Sequence, residues 1–141
     1  MISTKGRYAL SIMLDILECR DEYPVSLKTV AKRQELSEKY LEQIAAALKR
    51  NGLLGSSRGV GGGYFLTRDA KDISVGEILR VMEGDLAPAP CVKGSGSRCK
   101  RKDICSNVIL WKKLNEAINS VIDNITLADM YEWKQEKKIV L

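Results

Sequence analysis

Between residues 53 and 67 the spacing of apolar residues changes from helical to extended, and the change is centred on Gly59-Val60-Gly61-Gly62-Gly63. Glycine takes positive φ without a steric penalty. A glycine cluster between two short runs, Leu53-Leu54-Gly55-Ser56-Ser57-Arg58 and Tyr64-Phe65-Leu66-Thr67, therefore reads as a β-hairpin. A phosphate-binding loop would need a following Lys-Ser/Thr pair and then a helix, and the chain supplies neither. A purely structural hairpin is the plainer alternative.

The segments around the hairpin are helical by pattern. Residues 4–19 carry Ala9, Ile12, Met13 and Ile16 on one side and Leu10, Leu14 and Leu17 on another, as a helix buried between two partners does. Asp21-Glu22-Tyr23-Pro24 breaks it. Ser26 is placed to cap a short helix through Gln34, with Leu27, Val30 and Ala31 inward. Glu35-Leu36 turns the chain. Ser37 caps a third helix with Leu41, Ile44, Ala45 and Leu48 at helical spacing, and Asn51-Gly52 ends it. Ser74-Val75-Gly76-Glu77 is a capping box that opens a helix to about Glu83. Residues 85–104 are rich in Pro, Gly, Ser and Lys and too long for an ordinary connection. A long helix is predicted over 106–123, with Leu110, Leu114, Ala117, Ile118, Val121 and Ile125 on one stripe, and Thr126 caps a short last helix toward Lys134.

The fold class that follows is mainly α with a small β-hairpin. It comprises a winged helix-turn-helix over residues 1–84, a cysteine-bearing loop over 85–105, and a long helix with a C-terminal helix over 106–141.

A formal net charge of +5 and a pI near 9.0 suit a polyanionic partner. The excess lies in residues 1–70 and in the acid-free stretch holding Lys93, Arg98, Lys100, Arg101 and Lys102. The chain has no histidine, which removes Ser-His and Cys-His catalysis and any His-ligated zinc, and argues against an enzyme. No apolar run is long enough to span a bilayer, and the N-terminus lacks a secretion signal. A cytoplasmic protein without membrane partners is the expectation.

Two sets of residues carry candidate chemistry. In the third helix the apolar stripe leaves Glu38, Lys39, Glu42 and Gln43 outward near the N-terminal end, where a recognition helix presents polar side chains to base edges. Gln43 can bond adenine bidentately and Glu42 can accept from cytosine N4. Tyr40 and Lys39 suit phosphates, and Ser37 and Lys28 complete the set. Arg58, with Gly59 and Gly61, forms a wing tip suited to the narrow minor groove. An ordinary solvated helix face is the competing reading.

The second set is Cys91, Cys99 and Cys105, separated by seven and five residues in one loop. In a reducing compartment such a cluster points to metal or redox chemistry before disulfides. Three thiolates beside cations suit an iron–sulfur cluster or zinc. Redox-active thiols are the alternative, and Cys19 on the first helix reads as a core cysteine.

The chain resembles the Rrf-type regulators over nearly its whole length. The resemblance rests on Ser3-Thr4-Lys5-Gly6-Arg7-Tyr8-Ala9, Ser37-Glu38-Lys39-Tyr40-Leu41-Glu42-Gln43, Arg58-Gly59-Val60-Gly61-Gly62-Gly63-Tyr64, the three loop cysteines and Asn124-Ile125-Thr126-Leu127. It implies a DNA-binding transcription regulator on a near-palindromic operator, a homodimer held by the long C-terminal helix, and a repressor-type mode of action. It also implies an iron–sulfur cluster, 2Fe–2S in one branch and 4Fe–4S in another, that senses iron–sulfur, redox or nitrosative status. The CymR-like branch lacks the cysteines and regulates cysteine and sulfur metabolism with a partner enzyme, so a zinc-binding or cluster-free regulator is the alternative. The IscR-like branch takes its fourth ligand from a histidine at the position held here by Val108, which cannot ligate iron. Asp15, Glu18, Cys19, Asp103, Ser106, Asn107 or an outside thiol stay open as the fourth ligand.

Overall fold

The first helix organises the molecule. The computed structural model describes residues 1–94 and 99–140, the last two by backbone alone. In chain order the elements are α1 (Thr4–Glu18), α2 (Leu27–Gln34), α3 (Glu38–Arg50), β1 (Leu54–Ser57), β2 (Gly63–Leu66), α4 (Val75–Glu83), α5 (Asn107–Asn124) and α6 (Leu127–Val140). Short 3-10 turns lie at Arg20–Glu22, Ala70–Asp72 and Pro90–Val92. α1 packs against α2, α3, α4, α6 and β2, which is why its sequence is apolar on two sides. Ile12, Met13 and Ile16 of α1 meet Leu41, Ile44 and Leu48 of α3, Ile73, Ile78 of α4 and Leu127 of α6 in one core. Each such side chain contributes about 1.5–3 kcal/mol by leaving water.

The helix boundaries follow from their caps. The Ser3 hydroxyl accepts from the Gly6 amide, and the Ser37 hydroxyl from the Tyr40 amide at 3.2 Å. Ser74 and Glu77 form the reciprocal capping box, and Thr126 and Asp129 form a second one at the start of α6. Gly52, at φ +78°, closes α3 while the Leu53 amide reaches the Leu48 carbonyl. Ser26 holds the N-cap position of α2 but makes no side-chain cap bond, contrary to the expectation for it. α6 also runs to Val140 and not merely toward Lys134. Its extra turns are tethered by Lys134 and Lys138, which both bond Glu18 of α1.

The hairpin pairs Leu54 with Leu66, Gly55 with Phe65, Ser56 with Tyr64 and Ser57 with Gly63, antiparallel. Sequence reasoning missed a third partner. Val25, just before α2, exchanges two 2.8 Å backbone hydrogen bonds with Tyr64. Gly63 is required for that approach, because a Cβ there would run into the Val25 carbonyl.

α5 buries only Val108 among its described side chains. Leu110, Leu114 and Val121 stand 51%, 40% and 56% exposed. With Ala117 they are spaced four, three and four residues apart, the seam of a helix pair. Arg80 of α4 holds α5 through Asp123 and Asn119, at 2.6–3.0 Å. No helix among the described residues is long and apolar enough to cross a membrane.

Candidate nucleic-acid interface and metal centre

The turn between α2 and α3 places the third helix. Glu35 closes α2 in the left-handed region at φ 55°, and the Leu36 amide reaches back to the Ala31 carbonyl. Ser37 then starts α3. Leu41, Ile44, Ala45 and Leu48 are buried, so Glu38, Lys39, Glu42 and Gln43 lie exposed on the other face, as does Ser37 at the cap. Glu38 is the one acid in the first turn. Lys28 is exposed on α2. Tyr40 differs from its neighbours: it is half-buried, and its ring meets Tyr8 of α1 edge-on, with centroids 5.9 Å apart. Tyr40 thus braces the start of α3 against α1.

Arg58, Gly59, Val60 and Gly61 form the exposed wing tip. Gly59 and Gly61 take φ of +92° and +78°, which only glycine adopts readily. Lys49 at the end of α3 donates to the Ser56 hydroxyl at 2.7 Å. Together with the Val25–Tyr64 bridge, this ties α3, the segment leading into α2 and the hairpin to one another.

The cysteine loop is anchored at both ends. Cys91 sits half-buried in the Pro90–Val92 turn, which packs on α5. Cys105 is half-buried just ahead of α5, and Cys99 is exposed. Cys91 shares a groove with Lys93, Lys102, Lys112, Asn115 and Glu116. Lys100 and Arg101 are exposed beside Cys99, whereas Arg98 lies outside the described residues. Among the described residues no three Cys, Asp or Glu side chains stand close enough together to hold a metal ion. The donor set itself fits a cluster: three soft sulfurs on one loop, with cations at hand to offset thiolate charge.

Three of the fourth-ligand candidates are engaged elsewhere. Asp15 is 3% exposed and bonds Arg33 and Gln34 of α2. Glu18 bonds Lys134 and Lys138, which hold its carboxyl below the usual range. Cys19 receives the Arg33 guanidinium at 3.2 Å, yet burial pushes its thiol up. Asp103, Ser106 and Asn107 are exposed. Val108 is buried.

Asp85 was not singled out by sequence. Its two oxygens accept from the Ala87 amide at 2.8 Å and the Gly94 amide at 3.0 Å. These bonds, that of Gly94 first, hold its carboxyl below the ordinary range. Only a carboxylate at the root of a loop hinted at this, and such residues are common.

Comparison with known proteins gives a consistent picture. The Rrf2 family profile, described as an iron-dependent transcriptional regulator, matches residues 2–133. The chain is 40% identical over 129 residues to the HTH-type transcriptional regulator IscR of Serratia proteamaculans, covering 92% of this chain and 77% of that protein. Its fold is similar to the structure of T. potens IscR, with a TM-score of 0.78 and 42% identity over 97% of this chain and 90% of that one. It is similar as well to CymR, the global cysteine regulator of B. subtilis, with a TM-score of 0.76 and 39% identity over 94% of this chain and 97% of that one. The family and these relatives are named as regulators, of transcription in the family description and in the Serratia protein. The chain belongs to the Rrf2 family of DNA-binding transcription regulators.

Proposed function

We propose that this regulator works in the cytoplasm as a homodimer, reads a near-palindromic operator, and reports iron–sulfur, redox or nitrosative status through a cluster held by Cys91, Cys99 and Cys105. The cysteine loop carries the reading: three thiol side chains and a run of cations lie between the winged helices and the exposed α5 seam. The two-sulfide, two-iron form is the preferred assignment, ahead of 4Fe–4S, in keeping with 40% identity to an IscR. When bound, the cluster supplies a redox-active, oxygen- and nitric-oxide-sensitive group. Cys91 and Cys105 then hold the two ends of the loop, and the neighbouring lysines offset the charge of the thiolates. On DNA, Gln43 and Glu42 read bases from the major groove, and Ser37, Glu38, Lys39 and Tyr40 set the register of α3. Lys28 and the wing residues Arg58, Gly59 and Gly61 hold the backbone and minor groove.

The exposed 4-3-4 seam of α5 supports the homodimer. An apolar hollow beside it, lined by Ile2, Leu79, Pro88, Ile118 and Val121, offers a place for partner side chains. In such a dimer the half-sites lie about one helical turn apart, or a multiple of it. Loop order, set by the cluster, adjusts the relation of the two DNA-reading units and so operator affinity. A cluster-free mode is the second reading, favoured by the likeness to CymR and by the lack of a metal-holding group among the described residues.

The test uses protein made without oxygen, in wild-type form and as Cys91→Ser/Cys99→Ser/Cys105→Ser. Wild type is expected to be brown, to contain iron and sulfide, and to select a two-fold site from random duplexes. The variant is expected to be colourless and to differ in affinity or in the site selected. Colourless wild type with the same operator preference as the variant would move the assignment to the cluster-free mode.

A further inference from the structure

We propose that Asp85 is the positioning residue that presents the Cys91 sulfur, by pinning the segment that carries it near its start, at Ala87, and at its end, at Gly94. This rests on the cluster reading above for its purpose, but its geometry stands separately. The carboxylate spans the segment: one oxygen takes the Ala87 amide near its start, and the other takes the Gly94 amide at its end. Between these anchors the backbone runs extended at Ala89 and then closes a 3-10 turn on Pro90, Cys91 and Val92. Pro90 fixes its own φ, and the Val92 and Lys93 amides bond the carbonyls of Ala89 and Pro90.

That turn lies against α5, so Cys91 is half-buried although Asp85, Pro88, Pro90, Lys93 and Gly94 around it are exposed. Few apolar contacts hold the segment: Leu86, Ala87, Ala89 and Val92 are only half-buried. Hydrogen bonds to an ionised acceptor are stronger than neutral ones; the one from Gly94 closes this loop, and the one from Ala87 fixes the turn at its start. Without them the ends separate, loop-closure entropy is regained, and the sulfur is no longer fixed relative to α5. Ligands held in place before metal arrives bind it more tightly than ligands that must be ordered. Asp85 touches neither sulfur nor metal, so its action is on the position of Cys91 alone.

The experiment compares wild type, Asp85→Asn and Asp85→Ala, all as full chains. Metal-free protein is treated with iodoacetamide under native conditions, and alkylation of each cysteine is followed by mass spectrometry. Cys105, outside the pinned segment, is the internal reference. The Cys91-to-Cys105 rate ratio is expected to rise about fivefold in Asp85→Ala, with Asp85→Asn between, because the amide keeps one acceptor oxygen. The melting temperature should stay within about 2 °C of wild type, since the carboxylate lies at the surface. Anaerobically loaded Asp85→Ala is expected to lose iron to a chelator about fivefold faster than wild type. An unchanged alkylation ratio in both variants overturns the proposal. Absence of iron and sulfide in wild type would instead overturn the cluster reading, while the alkylation ratio still decides the role of Asp85.

Discussion

Asp15 is the one charged side chain buried among the described residues, and it shows how single groups set the geometry of the DNA-reading part. Its carboxylate accepts from Arg33 and Gln34, so the end of α2 is fixed to the last turn of α1. Removing a partner from a fully buried pair costs about 3–5 kcal/mol. Arg33 is 40% exposed and can return to water, so the loss here is smaller. Asp15→Ala is expected to lower unfolding free energy by about 2 kcal/mol, measured by urea denaturation at fixed protein concentration. A loss below about 0.5 kcal/mol would mean that the pair is held no better than a surface one. Nothing in the sequence announces this pairing. Asp15 read equally well as a metal ligand, because contacts between residues on different helices carry no local signature. Glu35 was legible only as a turn; that it takes φ 55°, at a cost of about 1–2 kcal/mol, is set by how α2 and α3 pack.

At the level of elements, legibility tracked the strength of the pattern. α1, α3 and α4 have clear apolar stripes and side-chain caps, and their ends were placed within a residue or two. The sequence pattern stops α6 short because the face begun by Leu127, Met130 and Tyr131 is continued by Lys134 and Lys138, whose ion pairs to Glu18 fix the far end. The bridge formed by Val25 is invisible in the sequence, since one residue pair has no periodicity. α5 is the reverse case: its stripe was readable, but a single chain leaves it bare. A charge inside a desolvated helix pair, such as the one proposed for α5, lacks a partner and is costly. Val121→Asp is therefore expected to weaken self-association by roughly a hundredfold or more. Sedimentation would show a half-mass species at concentrations where wild type is paired. An unshifted distribution would remove the α5 seam from the interface.

Across the whole molecule, the first and last helices are joined by Glu18 with Lys134 and Lys138. The bond to Lys134, then that to Lys138, depresses the Glu18 carboxyl below its ordinary 4.5. A group depressed in the folded state stabilises fully above its unfolded pKa and loses that contribution as pH falls through the folded value. The clasp should thus be intact at pH 7 and release only below about pH 4.5. Hydrogen exchange is expected to show residues near 134–138 losing protection there in wild type. Glu18→Gln should show the lower protection already at neutral pH. Equal protection in both proteins at pH 7 would mean the clasp does not hold α6.

The backbone bridge from Val25 to Tyr64 has one more consequence. Because it fastens the β-ribbon to the segment that leads into α2, the ribbon cannot flap independently of the helices beside it. The winged part of the chain is thereby tied into one unit. In the proposed homodimer, a change in the cysteine loop would then act by resetting the gap between two such units, as on a calliper.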